Sequence, residues 1–181
     1  MKVQKINFKD QKKRYSILIL NNILRILPQK IKFLCPDAKK IALVFDRGVP
    51  SKYKKVISTN LKKYELTVFN FTTSEKTKTF TSVNYFLNEL LSKNFNRTDL
   101  IIGIGGGITG DLVGFVASIF KRGINFISMP TTLLSQVDAS IGGKTGINTK
   151  HGKNLIGSFY HPKLVITDID FLRSISRREI I

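Results

Sequence analysis

The residues equipped for chemistry crowd into one stretch. Most of the chain's 13 glycines fall between Leu100 and Tyr160, beside Arg122, Asp138, Lys144, Lys153 and Asn154. A glycine inside a regular element costs up to about 1 kcal/mol of backbone entropy, so a packed core gains nothing from so many. Backbone that must run close to a bound molecule does gain. Carboxylate, amide and cationic side chains set among such turns suit hydrogen bonding to the hydroxyls and phosphate of a small polar molecule. The expectation is a small-molecule site built from main-chain turns.

Within the stretch, Gly105-Gly106-Gly107-Ile108-Thr109-Gly110 fits G-x-G-x-x-G between an apolar run and a helical one. Unpaired amides and the positive dipole end of a helix can hold a pyrophosphate at such a place. The standard dinucleotide fingerprint also wants an acid about 20 residues on. Met129-Pro130-Thr131-Thr132 stands there instead, so a dinucleotide is expected at this turn but in another mode. Asp111 is either a dipole-favoured cap or a ligand contact. Asp46, ending the apolar run Lys40–Phe45, either meets a ligand hydroxyl or simply forms a turn.

Two other chemistries find no support. Gly143-Lys144-Thr145 resembles the end of a P-loop, but Asp138 occupies the position of its first glycine. His151 and His161 stand apart with Cys35 remote, and there is no H-E-x-x-H or C-x-x-C, so no metal site is expected in this chain.

The elements that must position these groups alternate. Strands are expected at residues 1–8 and Tyr15–Leu20, joined by a charged turn at Asp10–Arg14. A helix over Ile23–Lys32 would be capped by Asn21 or Asn22, and Pro28 must sit in its first turn or break it. Next come a strand at Lys40–Phe45, a helix at Ser51–Lys63 capped by Ser51, and a strand at Glu65–Phe71. A polar loop leads to a helix at Thr81–Lys93, a strand at Leu100–Ile104 and a helix at Asp111–Lys121, apolar nearly all round. This pattern predicts an α/β fold, a Rossmann-like parallel sheet flanked by helices with additional N-terminal β strands, in one domain over residues 1–181.

The 181 residues carry a net charge of +18 and a single cysteine. No apolar run is long enough for a membrane span, and the lone cysteine excludes an internal disulfide and fits a reducing compartment, so a soluble cytoplasmic protein is expected. The lysines are spread over the first 90 residues and read as a solvated surface, so neither nucleic acid nor membrane is an expected partner. A phosphorylated substrate suits the same field. A basic, non-catalytic polyanion-binding module is the alternative from another class.

Three blocks carry a resemblance: GGGITGDLVGF (105–115), KRGINFISMPTTLLSQVDASIGGKTGIN (121–148) and GKNLIGSFYHPKLVITD (152–168). In this order they resemble 3-dehydroquinate synthase and, more broadly, the sugar-phosphate cyclases. SEKTK (74–78) matches a G-E-x-x-K motif more weakly, with Ser74 in place of glycine. Asp46 matches an Asp-x-Asn motif in which Gly48 replaces the asparagine. The resemblance implies tightly held, catalytically recycled NAD and the substrate 3-deoxy-D-arabino-heptulosonate 7-phosphate. It implies a cofactor site of Asp46, Ser74, Glu75, Lys78, Gly106, Gly107, Ile108, Thr109, Gly110, Asp111, Thr131, Thr132, Lys144, Lys153 and Phe171-Leu172-Arg173-Ser174. Asp138, Lys144 and Asn154 would bind substrate hydroxyls, and Arg122 would reach the phosphate from the neighbouring subunit of a homodimer. Zinc or cobalt is implied for the whole family member, with its ligands in a helical second domain that this sequence does not contain. The chain alone is therefore expected to be inactive. Another sugar-phosphate cyclase or a glycerol-dehydrogenase-like enzyme is the alternative within the enzyme class.

Overall fold

The computed structural model describes residues 4–10 and 13–174. In chain order the strands are β1 (Gln4–Asp10), β2 (Lys13–Leu20), β3 (Lys40–Asp46), β4 (Glu65–Phe71), β5 (Leu100–Gly105), β6 (Asn125–Pro130), β7 (Lys144–Thr149), β8 (Gly152–Phe159) and β9 (Leu164–Asp168). The helices are α1 (Leu27–Leu34), α2 (Ser51–Asn60), α3 (Phe80–Ser92) and α4 (Gly107–Ile119). Residues 1–3 of the first expected strand, and residues 11 and 12 of the expected charged turn, lie outside the described residues.

β3 shows why the sheet forms. Its run Ile41 to Phe45 is continuously apolar and buried, as a strand covered on both faces must be. Ile41, Leu43 and Phe45 pack with Leu27, Ile31 and Ile57 on the α1–α2 face. Ala42 and Val44 pack with Phe86, Leu90 and Leu112 on the α3–α4 face. The seven-stranded order is β1-β2-β9-β6-β5-β3-β4. All neighbouring pairs are parallel except β1 with β2, which closes one edge as an antiparallel hairpin. β7 and β8 form a separate antiparallel hairpin.

The topology determines where a ligand can bind. After β3 the chain lays β4 on one side, then returns through α3 to place β5 on the other side of β3. The carboxyl ends of β3 and β5 therefore flank a crevice where the strand order reverses, the usual ligand position in open α/β sheets. Asp46 ends β3 and the glycine run follows β5.

Several local expectations need correction. α4 begins at Gly107 rather than Asp111, so Asp111 lies past the first turn and caps nothing. The low helix propensity of Gly107 and Gly110 hides this start in the sequence. α4 also ends at Ile119, because Lys121 and Arg122 take left-handed backbone angles ahead of Gly123. Pro50 occupies the N-cap of α2, so Ser51 is its first helical residue and makes no capping bond. Ile23–Ile26 forms a 3-10 turn ahead of α1, and Pro28 sits at the start of α1, where its missing N–H costs little.

Candidate functional site

The glycine turn is narrow by construction. A side chain at Gly105 would strike Thr109 and come within 2.9 Å of the Asp46 Cβ, so β5 can approach β3 here only as glycine. Gly106 is the N-cap of α4 in extended backbone, and no side chain caps the first turn of this 13-residue helix. Its leading amides are thus left for water or a ligand. Thr131 donates its N–H to the Gly105 carbonyl at 2.9 Å, fixing the end of β6 beside the turn. Thr132 and Ser135 cap each other across a short π-helical turn, with the two hydroxyls 2.8 Å apart. Gln136, buried in that turn, donates to the carbonyls of Pro130 and Asp168 at 3.2 and 3.1 Å and ties it to β6 and β9.

Across the turn, the loop between β4 and α3 delivers Lys78. Its side chain is only 3% exposed and forms an ion pair with Asp111 in α4. Its ammonium also donates to the Asn154 side-chain oxygen at 2.5 Å. A buried ammonium without such partners would be prohibitively costly. Burial pushes the Asp111 carboxyl above its ordinary value. The Lys78 hydrogen bond and charge oppose this, and the nearby Glu75 charge adds to it. The Lys78 loop is itself preorganised: Ser74 and Thr77 exchange side-chain and main-chain bonds, with Thr77 Oγ1 accepting from the Ser74 amide at 2.9 Å. Ser74 thus makes a polar turn of its own in place of the glycine of the G-E-x-x-K motif.

Beside this ion pair lies a cleft of about 510 Å³, lined by Asp111, Asp138, Lys144, Asn154, Ser158 and Phe159 among others. One wall is the β7–β8 hairpin, held close to α4 because Gly114 leaves room for Thr145. The structure therefore brings together Lys78, Asp111, Asp138, Lys144 and Asn154. Lys153 is exposed next to Asn154 in the chain, with its ammonium 3.9 Å from Glu75.

Other expected site residues lie elsewhere or are already engaged. Both Asp46 carboxylate oxygens are used within the crevice, one accepting from Gly48 N at 2.7 Å and the other from Thr73 N at 3.0 Å. Arg122 lines a different and larger cavity of about 790 Å³, shared with Arg97, Tyr160 and Lys163 at the amino edge of the sheet. That cavity lies away from the glycine turn. Phe171 is buried in the core, its ring 4.6 Å from Tyr53, and the 169–174 turn is held by Tyr53 donating to the Asp170 carbonyl at 2.6 Å. Leu172 is partly buried, Arg173 pairs with Asp170 at 3.1 Å, and Ser174 donates to the Phe171 carbonyl at 2.7 Å. His151 lies in the β7–β8 turn, whereas His161 stacks on Tyr15. Among the described residues, no group of three or more His, Cys, Asp or Glu side chains is placed to hold a metal ion. Asn148 and Gln136 were missed as organising residues, since their roles lie in contacts across the fold.

Solved structures define the class. 2-Deoxy-scyllo-inosose synthase, in complex with carbaglucose-6-phosphate, NAD+ and Co2+, matches 99% of this chain and 48% of its own, with TM-score 0.88 and 26% identity. A probable glycerol dehydrogenase from Sinorhizobium meliloti shares the fold alone, with TM-score 0.71 and 17% identity over 91% of this chain and 42% of its own. The fold is that of the sugar-phosphate cyclases.

Within that class the family is specific. The family model of the 3-dehydroquinate synthase N-terminal domain matches residues 68–181, and the chain belongs to this family. A 3-dehydroquinate synthase of Pelagibacter ubique (strain HTCC1062) is 51% identical over 177 residues, covering 98% of this chain and 48% of that protein. The chain spans about half the length of the curated relatives it matches.

Proposed function

We propose that this chain is the cofactor-binding half of a cytoplasmic 3-dehydroquinate synthase. The reaction converts 3-deoxy-D-arabino-heptulosonate 7-phosphate to 3-dehydroquinate and phosphate with NAD regenerated in each cycle. The observation that carries this reading is the convergence of Asp111, Asp138, Lys144 and Asn154 on one cleft beside an uncapped helix start, with buried Lys78 bonded to Asp111 and Asn154.

The residues present fit NAD. The open first turn of α4, at Gly106, Gly107, Ile108 and Thr109, suits the pyrophosphate. A Cβ built on Gly110 meets no atom within 4 Å, so this glycine leaves space that folding does not require. Asp111, Thr131, Thr132 and Lys153 would line the ribose and nicotinamide side, with Asp46 and Ser74 to Lys78 on the adenosine side. The turn at Phe171, Leu172, Arg173 and Ser174 would close the rim. When bound, NAD supplies a reversible hydride acceptor that makes one substrate hydroxyl a transient ketone and so acidifies the neighbouring C–H.

The chain's own groups do the rest. Asp138 accepts from substrate hydroxyls, Lys144 donates to them, and Asn154 does either, so the sugar ring is oriented against the cofactor site. The Lys78 ammonium holds Asp111 and Asn154 in place and excludes water from beneath them. Arg122 sits at the opposite sheet edge, so a phosphate contact from it would come from a second copy of the chain, in line with a homodimer. The metal of the family has no fitting ligand group among the described residues.

Titration of the sugar phosphate into the NAD-saturated chain tests the cleft. Asp138→Asn and Lys144→Met should each weaken binding by about tenfold, the size of one charge-assisted hydrogen bond. Unchanged affinity in both would remove the cleft from the account.

A further inference from the structure

Asn148 lies outside the cleft lining, yet its bonds connect three of the groups that the site depends on. Its side-chain N–H donates to Glu75 twice, to the carbonyl at 3.1 Å and to the carboxylate at 2.6 Å. Its side-chain oxygen accepts the Asn154 amide at 3.0 Å. Its own main-chain N–H donates to the Lys78 carbonyl at 2.8 Å. One residue thus ties the β4–α3 loop to the start of β8.

The bond to Asn154 matters because Asn154 has a left-handed backbone, φ 56°, an uncommon conformation for a residue other than glycine. Such a conformation persists only where its surroundings hold it. With the Asn154 amide fixed on Asn148, the Asn154 side-chain oxygen is set on the Lys78 ammonium. With Glu75 and the Lys78 carbonyl fixed as well, that ammonium stays buried against Asp111. The chemistry of the bridge also demands an amide. Its donor end faces a carboxylate and its acceptor end faces an N–H, so neither an aspartate nor an alanine satisfies both ends.

We infer that Asn148 is the positioning residue of the site, setting the Lys78 loop and Asn154 in register so that the cofactor side and the cleft are formed together. The inference rests on the cofactor reading above only for its ligand readout.

The test compares wild type, Asn148→Ala, Asn148→Asp and Asn148→Asp combined with Glu75→Gln. Amine labelling followed by mass spectrometry reads Lys78 directly, and calorimetry reads NAD affinity. In wild type Lys78 should resist labelling while Lys153 reacts. In Asn148→Ala, with its circular dichroism unchanged, Lys78 should become reactive and NAD affinity should fall by about tenfold, one lost charge-assisted bond. Asn148→Asp keeps the acceptor for Asn154 but sets a carboxylate against Glu75, and it should show the same defects. Adding Glu75→Gln restores a donor facing an acceptor and should recover protection of Lys78, which a purely structural role would not. If Asn148→Ala does not fold, Asn148→Asp and its rescue decide the matter. Protected Lys78 and unchanged NAD affinity in folded variants would overturn the inference and leave the cofactor reading standing. Wild type that binds no NAD would overturn the cofactor reading, and the labelling would still judge Asn148.

Discussion

The Lys78 ammonium and the Asp111 carboxylate pair across the gap between the β4–α3 loop and α4, with side chains 3% and 27% exposed. The asymmetry predicts unequal costs. Asp111→Ala strands a buried ammonium and should lower the unfolding free energy by about 3–5 kcal/mol. Lys78→Ala leaves a carboxylate that water can reach and should cost clearly less. Urea denaturation of the two variants checks this, and equal costs would contradict the burial difference.

Asp111 also gives a pH dependence. Its carboxyl is held above its ordinary value, chiefly by burial, so the folded chain keeps this proton to higher pH than the unfolded chain does. The associated stability is complete below the ordinary aspartate range and is lost as pH rises through the folded value. Asp111→Asn removes this dependence. The unfolding free energy of the variant minus that of wild type should therefore increase as pH rises across that window. A flat difference in urea melts taken at several pH values would contradict it.

Two glycines of α4 should respond in opposite ways. A methyl at Gly114 would lie 2.5 Å from the Thr145 methyl, forcing α4 away from β7. Gly114→Ala should cost about 1–3 kcal/mol. Gly110 has open space, and Gly110→Ala should raise stability by up to about 1 kcal/mol through helix propensity while weakening NAD. Thermal melts alongside NAD titration separate the two effects.

Cys35 is 3% exposed, and burial, opposed by the Lys163 charge, pushes its thiol up to about 11. Iodoacetamide at pH 8 should leave the folded chain unlabelled and react promptly in guanidinium, because the thiolate is the nucleophile. Rapid labelling of the native chain would contradict this burial.

Much of this architecture was legible in the residues. β3, β4 and β5 are apolar or alternating runs bounded by turn residues, and the expected boundaries hold to within one residue. The Asp138, Lys144 and Asn154 cluster was legible because it sits among glycines. The β7–β8 hairpin was not, since Leu155 and Phe159 face outward and no buried alternation marks β8. Nor could spacing show that Arg122 and Phe171 point away from the cleft, which depends on sheet order and on packing against Tyr53. Asn148 was hidden for a similar reason. Its partner Glu75 is distant in sequence, and only the fold brings them together.

The proposed function depends on NAD binding at the glycine turn between β5 and α4. The most direct measurement is calorimetric titration of NAD into the purified chain, with Asp111→Ala as the comparison. Saturable binding to wild type without added zinc, weakened by about tenfold or more in the folded variant, is the expected result. A folded wild-type chain that takes up no NAD, or a variant that binds as tightly as wild type, would contradict it.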